Sequence, residues 1–456
     1  MRKIVFSILL FLVFAVCHAD DSLDSVLNKM REINCYMGSA VYESAEKPEQ
    51  YSLYEIVRDS CTKAELEKLL RDKNGVVRSY ALQALVERNE KLDWDKIALG
   101  SLSDTESIET MFGCIVFTER VGDIFLDMIE NLISQEAKDK IDIQLLETQS
   151  PLLHAYKLLH SDKKSQGFYE LTRKWALAGN ENAIFSLAKY QNKEDYPLVL
   201  SLNNKERKYL FFKACPYILN DSLKPFFAEY MNSILPSKYF HNEWKEFYKS
   251  LAMFKDDFSK KELRKVFSSR TNRNIRKYHL GFIAEALETY TDGFYDDILF
   301  EMWEKYHVVK LDSAKNLLEH DKKRALDCMV SALKNSDEYI HGSGILSFCI
   351  ENLLDENYDV GKIFVKELPE LSGFVFDEFF EQIERFEDDS VDKALLKRLR
   401  KEKNGYVAIP IYDYLLSKKN PSFNKNVLEI YNKNKSRYMD WVEKDARKTL
   451  EKWNLL

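Results

Sequence analysis

The sequence predicts an all-α protein built from helical hairpins packed edge to edge. Three observations carry this. Gly totals 14 and Pro 9 in 456 residues while aromatics reach 13%, so turn-forming residues are scarce and large apolar side chains abundant. The stretch Asp72–Arg88, DKNGVVRSYALQALVER, reads as the turn and second helix of a hairpin. Strand signals are almost absent, since pairs such as Val308-Val309 sit in helical contexts. With 45% hydrophobic and 31% charged residues, the chain has the balance of a folded soluble protein.

Residues 1–19 read as a secretory signal outside the fold. Arg2 and Lys3 form a basic start, Ile4 to Val16 is apolar apart from Ser7, and Cys17-His18-Ala19 suits cleavage after Ala19. A lipoprotein anchored at Cys17 competes, but Val16 stands where a small residue belongs. No other apolar run reaches membrane length. Cleavage would remove two cations and no acids, taking the net charge from -7 to about -9. That balance argues against nucleic acid as a partner.

Ser22 to Met37 then reads as a helix with Leu23, Val26, Leu27, Met30 and Ile33 on its inner face. Gly38 to Gln50 is a polar connection, and Tyr51 to Cys61 a short helix. Thr62-Lys63-Ala64-Glu65 is a capping box, in which hydroxyl and carboxylate satisfy first-turn amides. It opens a helix to Arg71, and Lys73-Asn74-Gly75 breaks the chain before Val76, Val77, Tyr80, Ala81, Ala84 and Leu85 recur as one stripe. Ser103-Asp104-Thr105-Glu106 predicts a further cap, followed by a helix over 123–133. Helices follow at 182–190, after a second capping box at Ser259-Lys260-Lys261-Glu262, at 272–289, 337–354 and 404–417, and at 437–453. Pro197, Pro216, Pro225 and Pro236 limit helix length and predict a boundary between arrays at 20–195 and 196–456.

The segment 62–88 resembles a HEAT or armadillo-type repeat, and 181–230, 272–290 and 404–420 follow it more loosely. The resemblance implies a right-handed α-solenoid of degenerate HEAT-like hairpins. It also implies binding of other macromolecules, without an invariant active site.

Candidate sites are few. Lys260, Lys261, Arg264 and Lys265 on one helix, with Arg270, Arg273, Arg276 and Lys277 in the next hairpin, could merge into a basic patch for an anionic partner. A solvated helix face is the competing reading. Asp377, Glu378, Glu381, Glu384, Glu387, Asp388 and Asp389 form the densest acidic cluster, again read as a solvated face. Tyr239, Phe240, Trp244, Phe247 and Tyr248 read as core aromatics or, alternatively, a sugar or peptide platform. His154 and His160 lie six apart on one helix, no HExxH occurs, and neither a metal nor a cofactor is implied. Without Cys17, six cysteines remain. Cys35 with Cys61, and Cys328 with Cys349, could pair in an exported chain, but buried free thiols are the simpler reading. The leading expectation is an exported, non-enzymatic scaffold that binds a protein partner. The alternative is a polysaccharide-active enzyme on an α/α toroid, weakened by the shortage of Gly and long loops that carry catalytic groups.

Overall fold

The computed structural model describes residues 23–42, 45–204, 208–334, 344–371, 376, 380, 382–385 and 389–456. The proposed signal with Cys17 and Ala19 lies outside them, as do Asp377, Glu378, Glu381, Glu387 and Asp388 of the acidic cluster and the start of the 337–354 helix. The chain divides into two compact units, Met1–Tyr217 and Ile218–Leu456, a division inside the proline-bearing stretch. Both are mostly helical.

The first unit runs α1 (Leu23–Ile33), β1 (Cys35–Val41), α2 (Glu49–Ser60), α3 (Lys63–Leu69), α4 (Gly75–Glu87), α5 (Trp94–Ser101), β2 (Ser107–Gly113), β3 (Ile115–Arg120) and α6 (Val121–Ile129). It continues with α7 (Gln135–Glu147), α8 (Leu153–His160), α9 (Gln166–Leu177), α10 (Glu181–Ala188), α11 (Tyr196–Leu200) and α12 (Lys208–Ile218). The Thr62 box forms as the sequence predicts: Glu65 N–H donates to Thr62 Oγ1 at 3.3 Å, and Thr62 N–H to Glu65 Oε2 at 2.8 Å. Asn74 caps α4 by accepting from Val77 N–H at 3.1 Å. Helix α4 buries more than one stripe, however. Arg78, Ser79 and Leu82 are buried alongside the predicted stripe, because α1, α2, α3, α6, β1 and β2 all pack on it.

The sheet is the main departure from the all-α reading. Its order is β1-β2-β3, with β1 parallel to β2 and β2 antiparallel to β3. The helix expected to reach Met37 stops at Ile33, where Asn34 turns left-handed at φ +51° and the chain enters β1. Ser103–Glu106 caps no helix and leads into β2, and the acids of that tetrapeptide are consumed by Arg78 (below). The hairpin between β2 and β3 closes on Gly113-Cys114, with Gly at the first loop position at φ +64°.

The second unit runs α13 (Lys224–Ile234), α14 (Glu243–Ala252), α15 (Asp257–Arg264), α16 (Arg276–Leu287), α17 (Asp296–Tyr306), α18 (Leu311–His320), α19 (Lys322–Lys334), α20 (Ile345–Asp355) and α21 (Val360–Glu367). It ends with α22 (Asp389–Leu399), α23 (Gly405–Ser417), α24 (Pro421–Asn434) and α25 (Asp440–Lys452). Neighbouring helices pair, as in α14 with α16, α18 with α19 and α23 with α25. The second capping box sits one turn earlier than expected: Asp256 is the cap and Ser259 its reciprocal partner, while Glu262 binds Lys265. Trp244, Phe247 and Tyr248 are fully buried core, and His279 stacks on Trp244 at 4.0 Å while its Nδ1 meets Tyr248 Oη at 2.6 Å. Tyr239 and Phe240 stay exposed, Phe240 stacking on Tyr278 at 4.4 Å.

Candidate binding surface

The two outer edges of the sheet differ in kind. On β1, Met37 turns its backbone outward, and the buried Tyr80 hydroxyl accepts its N–H and donates to its C=O, both at 2.8 Å. At Val41 the edge is closed again by reciprocal 2.9 Å bonds with Glu46. This is how proteins blunt a strand edge that would otherwise template another chain.

Strand β3 has no such closure. Phe112 pairs with Ile115 across the two-residue loop, and Val121 N–H donates to Glu106 C=O at 2.9 Å at the other end. Alternation between those ends points the backbone groups of Ile115, Phe117 and Glu119 toward β2, and those of Val116, Thr118 and Arg120 outward. None of the described residues hydrogen-bonds these outward groups. The strand carries no Lys, Pro or bulge over Ile115–Thr118, the usual defences of an edge.

The open edge is also apolar. Phe112, Ile115, Val116 and Phe117 are 50%, 57%, 55% and 53% exposed, and neighbouring Tyr42, whose N–H donates to Gly113 C=O at 3.0 Å, is 51% exposed. Pairing places Phe112, Ile115 and Phe117 on one face and Val116 and Thr118 on the other. Phe112, Ile115 and Phe117 thus gather exposed apolar surface on one face, which makes this strand the candidate site, whereas scattered exposed side chains would not.

A rigid base holds the hairpin. Arg78, on α4, forks onto Asp104 at 2.8 and 2.9 Å, reaches Glu106 Oε2 at 2.7 Å, and donates to Asp72 C=O at 2.7 Å. Glu106 also accepts Gly75 N–H at 3.1 Å. An aromatic series then runs outward: Tyr54 stacks on Tyr80 at 4.8 Å, Tyr80 meets Tyr36 at 4.7 Å, and Tyr36 meets Phe112 at 5.7 Å. Gly38 leaves room for the Phe112 ring, which a Cβ there would approach to 2.9 Å.

The predicted basic patch is largely spent inside its own unit. Lys260 and Arg264 both bind Asp297, and Lys260 also sits 4.4 Å from the Phe294 ring. Lys265 pairs with Glu262 at 2.7 Å, and Arg276 donates to the carbonyls of Ser268 and Thr271. Lys277 lies over Tyr278. Lys261, Arg270 and Arg273 are exposed and make no ion pair among the described residues. Acids thus neutralise three of the eight predicted cations, and Arg276 is turned onto backbone carbonyls.

The two histidines are held in opposite states. Burial would lower the pKa of His154, but hydrogen bonds to Asp123 (2.8 Å) and Asp127 (3.4 Å) outweigh it and lift the value to about 9. His154 is therefore an imidazolium at neutral pH and has no free base to offer. It lines a cleft of about 380 Å³ with Lys157 and Lys163, which are paired to Asp127 and Asp142. For His160, burial lowers the pKa to about 4, and the nearby Lys213 and Lys189 charges add to that. Its ring lies between Tyr156 and Phe185 and accepts from Lys213 at Nδ1 (3.1 Å).

Neither suggested cysteine pair is bridged. Cys35, Cys61, Cys215, Cys328 and Cys349 are buried and form no disulfide, and Cys114 is exposed at the hairpin tip. Cys35 instead packs with Val41 and Met111 under the sheet. Among the described residues no helix is long and apolar enough to cross a membrane. The chain matches no family model and no curated protein.

Proposed function

We propose that this chain is an exported, non-enzymatic protein-binding scaffold, an α-solenoid of stacked helical hairpins that presents the β2–β3 hairpin to a partner chain. The open β3 edge carries this reading. It offers unpaired backbone donors and acceptors beside exposed Phe and β-branched side chains, which is what strand addition requires. Sequential pairing of helices within each unit supports the stacked-hairpin arrangement, and the basic and apolar run of residues 2–16 supports export. The basic patch becomes a secondary surface, because its acids are already in place.

The test is site-directed photocrosslinking in the full chain, expressed in its native host, with the probe at 117 or at 273. Adducts to protein from 117 but not from 273 support docking at the sheet edge. Adducts from 273 alone would move the site to the basic face, and adducts from neither would count against a protein-binding role.

A further inference from the structure

Resting on that reading of the β3 edge, we propose that its occupant is a second copy of this chain, joined β3 to β3 in an antiparallel ladder with Phe117 on the two-fold axis. Three features of the edge select this partner.

The first is the pattern of outward groups. Only alternate residues of β3 present backbone to a newcomer, and within its apolar part these are Val116 and Thr118. With Phe117 on the axis, Val116 lies opposite the partner's Thr118 and Thr118 opposite the partner's Val116. Every outward N–H and C=O of the two residues then finds a mate. Phe117 faces the partner's Phe117 at a closely spaced, non-hydrogen-bonded position, where aromatic cross-strand pairs are favourable.

The second is area. The exposed parts of Phe112, Ile115, Val116 and Phe117 amount to about 400 Å² per copy, so a pair that covers them buries about 800 Å² of side chain, to which the two paired strand backbones add, near the size at which a specific interface begins.

The third is closure. Tyr80 and Glu46 shut the β1 edge, so among the described residues each copy has a single open edge in this sheet. Two copies joined through β3 make one continuous sheet, order β1-β2-β3-β3-β2-β1, with both ends blocked. A two-fold contact of this kind stops at the dimer, whereas a chain with two open edges would grow into a fibre.

Light scattering and sedimentation of the full chain test the proposal, with two variants. Thr118→Pro removes an outward N–H that β2 does not use, so the hairpin keeps its ladder while the intermolecular one is broken. Val116→Lys serves if that proline perturbs folding. A disulfide trap reads the register: Phe117→Cys in a Cys114→Ser background brings two thiols face to face across the axis, while Ile115→Cys in that background does not. We expect a wild-type dimer, monomeric Thr118→Pro and Val116→Lys variants with unchanged circular dichroism, and oxidative trapping at 117 and not at 115. A wild-type monomer at all concentrations overturns the proposal, as does a dimer that both variants leave intact or trapping at 115 in place of 117. A monomer whose 117 probe still crosslinks to a different protein removes the second copy and leaves the docking edge. A monomer with no crosslinks removes both.

Discussion

The hydroxyl of Tyr80 meets Met37 twice, accepting its N–H and donating to its C=O at 2.8 Å each. One side chain from the central helix α4 thus does the work of a missing strand, and β1 ends the sheet there. Tyr80→Phe keeps the ring stacked on Tyr54 and edge-on to Tyr36 but leaves both Met37 groups without that partner. We expect a loss of about 1–3 kcal/mol in urea unfolding and faster amide exchange at Met37. Unchanged exchange there would mean that the hydroxyl is not what closes the edge.

Arg78 predicts a second loss. It is 9% exposed and serves Asp104, Glu106 and the Asp72 carbonyl at once. Arg78→Met leaves the Asp104 carboxylate and the Asp72 carbonyl without this partner, while the half-exposed Glu106 keeps the Gly75 amide, so a loss of about 1–3 kcal/mol is expected. Arg78→Lys should recover little of it, because an ammonium cannot fork onto Asp104 while also reaching Glu106. Chemical denaturation of the two variants checks this, and near-complete rescue by Lys would contradict it.

Gly122 and Gly281 make an opposed pair. A Cβ at Gly122 would stand 2.6 Å from Ser101 C=O and 2.8 Å from Asp104 C=O, backbone atoms that cannot swing aside. Gly122→Ala should cost about 1–3 kcal/mol. Gly281, inside α16, has nothing within 4 Å, so Gly281→Ala should gain about 0.5–1 kcal/mol from helix propensity alone. A Gly122→Ala melting temperature that is unchanged or raised would refute the close approach of α6 to the Ser101–Asp104 turn, and a lowered one for Gly281→Ala would contradict the open space around Gly281.

The His154 ion pairs carry a pH signature. Burial opposes its charge, but Asp123 and Asp127 lift its folded pKa to about 9 from 6.5. A raised folded pKa contributes stability that is full below about pH 6.5 and is lost as pH rises through about 9. The wild-type advantage over His154→Gln should therefore shrink between those values. A melting-temperature difference that stays flat or grows over this window would contradict the pairing. Asp123 moves oppositely and lower: burial raises its pKa, its hydrogen bonds to His154 and to the Leu153 and His154 amides win, and its contribution fades only as pH falls through the carboxylate range.

What was legible in the sequence was what short-range chemistry encodes. The Thr62–Glu65 box and the Asn74 cap are complete within four residues, so α3 and α4 could be read directly. The sheet could not be read in the same way. Strand β1 pairs with a segment far along the chain, Cys35 with Glu109, and its register is set by that distant contact. The run IETMFGCIVFT does hold a local strand signal, β-branched and aromatic residues around a Gly-containing two-residue turn. Spacing placed Lys260 and Arg264 together correctly, yet it could not show that Asp297, on α17, sits against both. Charge on one helix is local, and its neutralisation by the next hairpin is not.

The most direct test of the central claim, that one sheet edge is shut and the other open for a partner, is residue-resolved amide exchange of the full chain, diluted until scattering finds single chains. Met37 should be protected, and Val116 and Thr118 should exchange freely, becoming protected as concentration is raised and copies pair. If Val116 and Thr118 are as protected as Met37 in single chains, the β3 edge is already covered and the account of this surface fails.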